Sequence, residues 1–344
     1  MQSISPPNCQ NHMFKNKKIK FGTGALQDPT DYRDRLYDGI AFGAAPFDWN
    51  QGYDIEKKIN TVIPFKNQDG SSSCVGQAWS YYIGVLDAIE TSAYTDISAK
   101  AVYSQIALSQ GGAYIREGGK LTVDWGAVIE ILVSSYENGN PPSEPFMKDL
   151  SWKNDQISQT AKKLCSKEFR MIQGITIDIV AQGIRDNFGV VGGVLGSNNG
   201  SWNTLEPKPG AKDWGHALFF GKAGLDEKGK YIATPNSWGN RFNGQWQKLR
   251  EDWFTNEYMF NPWLLIDQPN IMSSEILQLI KEMDKGMLIE NEAPGRKGII
   301  YGGKLMEVLN GREGNAALYL IENKTNVKRI TKDVFNQIPK GNSF

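Results

Sequence analysis

The sequence predicts an α+β fold: a helical first half, a strand-rich second half and a small β-rich extension at the end. Three patterns carry this. Between Cys74 and Tyr136, apolar residues recur every three or four positions, the period of helices with one buried face. Between Met171 and Leu249, short runs rich in Val, Ile, Phe and Tyr sit between Gly, Pro and Asn turns and read as strands. The two kinds of element are segregated rather than alternating, which favours a helical lobe beside a sheet lobe over a parallel α/β sheet. A cleft between lobes is a natural place for a site.

Taken in order, residues 1–46 read as a leader and arm. Ser3–Asn11 is polar and proline-rich, and the basic run Lys15–Lys20 reads as a solvated tail. Residues 21–60 hold more Gly, Pro, Asp and aromatics than periodic apolar residues, and suggest an irregular arm laid over a larger body. The turn Gly70-Ser71-Ser72-Ser73 then opens a helix over Cys74–Ile89, with Ala78, Tyr82, Val85, Leu86 and Ile89 on one face. A second helix is expected over Ala99–Ser109 and a third over Asp124–Tyr136, with Val128, Ile129, Leu132 and Val133 inward. Helices are expected at Ser158–Phe169 and Asp178–Phe188. Strands are expected at Met171–Ile177, Gly189–Leu195, His216–Lys222, Tyr231–Pro235 and Gly244–Leu249. Residues 47–267 thus form the main domain. Residues 268–344 form a small C-terminal module, with a helix over Ser273–Met283 and strands at Gly298–Tyr301, Lys304–Leu309 and Ala317–Glu322.

Composition narrows the function. The chain has 344 residues, 40% hydrophobic and 22% charged, with 38 basic and 38 acidic residues. A neutral total argues against a nucleic-acid partner, since phosphate binding leaves a basic face. No stretch approaches the roughly 18 apolar residues of a membrane span. The start of the chain lacks an apolar secretory core, so the expected location is cytoplasmic, or outside the cell by release without a recognisable signal peptide. Three cysteines, Cys9, Cys74 and Cys165, make no disulfide framework, and an odd count suits a reducing compartment.

Three segments carry chemistry. Cys74 follows a Gly/Ser turn and opens a helix, whose N-terminal partial positive charge favours the thiolate nucleophile. Only two histidines exist, and His12 lies in the polar leader. His216 sits in Trp214-Gly215-His216-Ala217-Leu218 at the start of an apolar strand, with Gly215 allowing close approach of backbone or substrate. Pro235-Asn236-Ser237-Trp238-Gly239 then supplies an amide that can orient an imidazole and an indole that can cover their hydrogen bond. Each segment also has a plain structural reading: a core thiol, a hydrogen-bonded strand histidine, a turn.

Together, Gln68, Cys74, His216 and Asn236-Ser237-Trp238-Gly239 resemble the papain family of cysteine peptidases, in its bacterial and phage-like branch. The order matches, and the gap from Cys74 to His216 lies within the roughly 130–150 residues typical of such enzymes. The resemblance covers residues 21–267. Gly24–Asp34 looks like the arm that precedes the catalytic domain, and Phe47-Asp48-Trp49 like that domain's start. It implies a papain-like two-lobe fold, with a helical lobe and an antiparallel, β-barrel-like lobe. It implies Cys74 as nucleophile, His216 as base, Asn236 as orienting residue and Gln68 in the oxyanion hole. Gly118 and Gly119 would correspond to the glycines whose backbone pairs with substrate, with Trp238 also lining the site. Val75 stands where the family usually has Trp. Ser71 stands where it has a cysteine, so that disulfide is absent. The expected function is a cysteine endopeptidase acting on a peptide or protein substrate, with no metal or cofactor. The alternatives are a peptide ligase or cell-wall cross-bridge hydrolase using the same site, or an inactive protease-fold binding protein. No partner is assigned to the C-terminal module.

Overall fold

The computed structural model describes residues 24–37 and 45–266, together with four strands between 287 and 330. The chain divides into two compact units, Met1–Asp267 and Gln268–Phe344.

In the first unit, the arm carries two short strands, β1 (Ala25–Leu26) and β2 (Leu36–Tyr37). After it come β3 (Tyr53–Asp54) and α1 (Ile55–Ile59). The long helix α2 (Cys74–Thr91) is buried on nearly all sides, with Trp79, Tyr81 and Tyr82 fully enclosed. A helix apolar all round belongs in a core. Helix α3 (Ala99–Ile106) starts where Ser98 accepts from the Ala101 N–H, a side-chain N-cap. Strand β4 (Ala113–Tyr114) leads into α4 (Ile115–Asp124), and α5 (Glu144–Lys148) and α6 (Asp155–Ala161) complete the helical lobe.

The expected helix over Asp124–Tyr136 is not there. The helix lies one step earlier, in α4, and the chain then turns at Gly126, whose φ of +93° ends helical geometry. Val128 accepts a hydrogen bond from the Ser98 N–H, and Ile129 bridges to Ile97. The apolar residues that mimicked a helix face are a loop packed on α3, with Val128 and Val133 buried around Ala101.

The strand lobe contains β5 (Glu168–Ile172), α7 (Ile177–Asn187), β6 (Val190–Gly196), β7 (Trp214–Phe220), β8 (Lys222–Asp226), β9 (Gly229–Thr234), β10 (Gln247–Arg250) and β11 (Met259–Ile266). It forms two open sheets, ordered β2-β5-β11-β6-β7 and β10-β9-β8-β3. The chain passes from one to the other at Gly221, whose N–H bonds Ala233 and whose carbonyl accepts from Ile55. Strand β11 lies at the centre of its sheet although it contains Pro262. The pairing with β6 shifts between Phe260 and Trp263, and Asn261 takes a φ of +45°. At such an irregularity a missing N–H breaks no ladder bond.

The second unit contributes β12 (Met287–Asn291), β13 (Lys297–Tyr301), β14 (Lys304–Glu307) and β15 (Lys328–Ile330), in the order β14-β13-β12-β15. The expected helix over Ser273–Met283 and strand over Ala317–Glu322 lie outside the described residues, as do Cys9 and His12. Among the described residues, no helix is long and apolar enough to cross a membrane.

Candidate active site

Cys74 is the first residue of α2 and is wholly buried. Ser73 precedes it without capping the helix through its side chain; its hydroxyl instead meets Ser71 at 2.7 Å and Gln77 Nε2 at 3.2 Å. The first N–H groups of the helix therefore remain available at the sulfur end. Because α2 packs on β7, the thiol also meets the Ala217 N–H, next to His216. Burial still outweighs these donors and pushes the Cys74 thiol up to about 12. The expected helix-terminus effect is present but loses to desolvation.

His216 stands on β7, paired with Val194 of β6, and is fully buried. Its Nε2 lies 2.9 Å from Asn236 Oδ1. Burial pulls the ring down to about 4, partly offset by that bond. Nδ1 is buried without a hydrogen-bond partner. Trp238 stacks on the ring at 4.6 Å and 18°, while Trp202 and Trp214 meet it edge-on. Asn236 has a φ of +57°, left-handed backbone that asparagine tolerates better than most residues. Its carbonyl accepts from Tyr81 of α2 at 3.0 Å, which ties the turn to the helix that carries the thiol.

Gln68 reaches the same place because residues 66–68 run beside 237–239. The Gln68 N–H bonds Ser237 O at 2.8 Å, Gly239 N–H bonds Lys66 O at 2.8 Å, and Asn67 bridges to Trp238. The Gln68 amide is held at both ends: Oε1 accepts from Ser237 Oγ at 2.6 Å, and Nε2 donates to Ser71 O at 3.1 Å. An amide nitrogen has a second N–H to offer.

The arm runs through this site. A Cβ on Gly24 would stand 2.4 Å from Ser72 O and 2.5 Å from Cys74 Sγ, so only a glycine fits against the thiol. The Gly24 carbonyl accepts from Ala113 N–H at 2.8 Å, and β1 pairs with β4 in parallel. On the facing wall, Ala25 O comes within 2.3 Å of where a Gly215 Cβ would be. Further along, the buried Asp28 carboxylate accepts from Arg116 N–H and from Trp263 Nε1 at 2.8 Å, and its N–H donates to Asn261 Oδ1 at 2.8 Å. Arg116 also holds Asp34 at 2.6 Å, both side chains nearly buried.

Gln68, Cys74, His216, Asn236 and Trp238 are therefore brought together. Gly118 and Gly119 are not part of this surface. They lie inside α4, where a Cβ on Gly118 would stand 2.1 Å from Trp79 and one on Gly119 would press on Trp79 and Phe169. Their smallness serves helix packing, and the backbone that pairs with an extended chain is Gly24's partner Ala113, just after Gly111-Gly112. Sequence reasoning missed Trp202, Trp214 and Gln247. Trp214 and Gly215 precede His216 in the same motif, but nothing local pointed to Trp202 or Gln247.

No family model and no curated protein matches the chain. Among solved structures it is similar to xylellain, a cysteine protease from Xylella fastidiosa, at 19% identity and a TM-score of 0.58, over 73% of this chain and 98% of that one. It is similar to procathepsin B S9 from Trypanosoma congolense at 13% identity and a TM-score of 0.54, over 71% and 85% of the two chains. A recombinant stem bromelain precursor aligns at 14% identity and a TM-score of 0.52, over 72% and 77%. The chain has the two-lobe fold of papain-like cysteine proteases.

Proposed function

We propose that the chain is a cysteine endopeptidase that cleaves peptide bonds in a peptide or protein substrate through a thioester acyl-enzyme. The observation that supports this most is the arrangement of His216: Nε2 is engaged by Asn236 Oδ1, while Nδ1 is left as a bare base on the strand packed against Cys74. In this reading, Nδ1 takes the thiol proton and the thiolate attacks the scissile carbonyl carbon. The Cys74 N–H and the second Gln68 Nε2–H receive the oxyanion. The imidazolium returns its proton to the leaving amine, and water then attacks the thioester. The described state is masked, because Gly24–Leu26 fills the place of a substrate and keeps water from both reacting groups. A thiol near 12 and an imidazole near 4 are neutral together at pH 7, so the reactive ion pair needs the arm displaced.

The test is labelling with an epoxysuccinyl peptide at pH 7, read by peptide mass mapping. A Gly24→Val chain, in which the arm cannot seat, is expected to gain one adduct on Cys74, with none in Cys74→Ser. A folded Gly24→Val chain that stays unlabelled overturns the proposal. Transfer of the acyl group to an added amine, in preference to water, would make the chain a ligase.

A further inference from the structure

Gln247 is buried, at 2% exposure, in β10, paired in register with Thr234. A buried amide is costly unless bonded, and this one is bonded at both ends. Its Nε2 donates to two backbone carbonyls, Trp202 O at 3.1 Å and Thr204 O at 2.7 Å. Carbonyls only accept, so the Gln247 amide cannot be turned over without facing oxygen to oxygen. Its Oε1 is thereby fixed as an acceptor, and it takes Asn236 Nδ2 at 2.6 Å. Asn236 cannot turn over either: its Oδ1 must face His216 Nε2, and it also accepts from Ser237 N–H at 2.6 Å. Two peptide carbonyls, together with the Ser237 N–H, thus orient the pair of side-chain amides that stand behind the ring.

We infer that Gln247 is a positioning residue that locks Asn236 in the orientation holding His216 as its Nε2–H tautomer, leaving Nδ1 as the base toward Cys74. Its catalytic consequence rests on the peptidase reading; the orientation itself does not. Without the lock, the Ser237 N–H alone still holds Asn236 Oδ1 in place, and in the molecules where the amide turns over Nδ2 faces the ring, which selects the other tautomer and protonates the nitrogen that must act as base. Outer partners of this kind typically carry about a 10–100-fold effect when lost, by analogy with those behind metal-bound histidines.

The experiment uses the full chain labelled with ¹⁵N-histidine. Two histidines are present, so a His12→Gln background leaves one imidazole to read. With Gln247 intact, the ring at pH 7 is expected as a single Nε2–H tautomer. Gln247→Met keeps the shape but offers no donor and only a weak thioether acceptor, and is expected to give a mixture of tautomers. Gln247→Glu still accepts from Asn236 Nδ2 while facing both carbonyls without a donor. It is expected to lose stability yet keep the Nε2–H tautomer, a split that a merely structural role would not produce. If Gln247→Met does not fold, Gln247→Asn, one methylene too short to span all three partners, is read in the same way. In the Gly24→Val background, epoxide labelling of Cys74 is expected to slow about 10–100-fold in Gln247→Met. A folded Gln247→Met chain with a single Nε2–H tautomer overturns the positioning role. Mixed tautomers in Gln247→Met, with Cys74 unlabelled in every variant, support the positioning role and overturn the peptidase reading instead.

Discussion

At the scale of single residues, burial competes with every device that would charge the site. Cys74 has helix N–H groups around it and a histidine on the next wall, and still its thiol is held near 12 while the arm is seated. Below its pKa, thiolate rises about tenfold per pH unit. Alkylation of Cys74 in the intact chain should therefore climb log-linearly from pH 6 to 10 without a plateau. Gly24→Val should bring a plateau down toward neutral pH, and a plateau already present in the intact chain would contradict the masking. Cys74, His216 and Asn236 were legible in the sequence as candidates because each sits in its own short motif and only one histidine lay in an ordered-looking segment. Gln247 and Trp202 were not. Their roles come from distant partners: Gln247 bonds the loop carbonyls at Trp202 and Thr204, and Trp202 packs at tilted and edge-on angles among Trp214, Trp238 and Trp253.

At the scale of elements, Asp28 is the buried titratable residue through which the arm contacts Arg116, Trp263 and Asn261. Burial raises its carboxyl to about 6, against the hydrogen bonds from Arg116 N–H and Trp263, and Asp34 beside it is shifted the same way. A carboxyl whose pKa is raised on docking contributes most below its free value near 3.8, and that contribution is lost as pH rises through about 6. The arm should thus seat more firmly at pH 5 than at pH 7.5. The protection factor of the Ala113 amide, bonded to Gly24 O, should fall across that window, and Asp28→Asn should flatten the change. In α4, Gly118→Ala places a methyl against Trp79 and should cost about 1–3 kcal/mol, read as a lower Tm with little change in the site's chemistry. This helix is hard to read because Gly118-Gly119 interrupts its apolar pattern, while Gly126, where the helix has ended, lies inside the pattern that reads as a helix over Asp124–Tyr136. Strand β11 was hidden by Pro262, which is tolerated only because the register slips beside it.

At the scale of the whole first unit, the arm touches both lobes: β1 lies on β4 of the helical lobe, and β2 extends the sheet of the strand lobe beside β5. Cutting the chain between Asp28 and Leu36 should leave Cys74 covered at first and then exposed as the short piece departs, a lag visible in labelling time courses. The segregation of helices and strands in the sequence foretold the two lobes; what the arm would do could not be read, since its few contacts come from one or two residues each. Being tethered, the arm competes for the site at an effective concentration that short linkers place in the millimolar range. Diluting the intact protein should therefore leave Cys74 equally unreactive, as no partner is lost to bulk. Once the arm is severed, dilution alone should release the thiol. Joined to the chain, Gly24 blocks the site as a fixed fraction of molecules; detached, it blocks it by mass action.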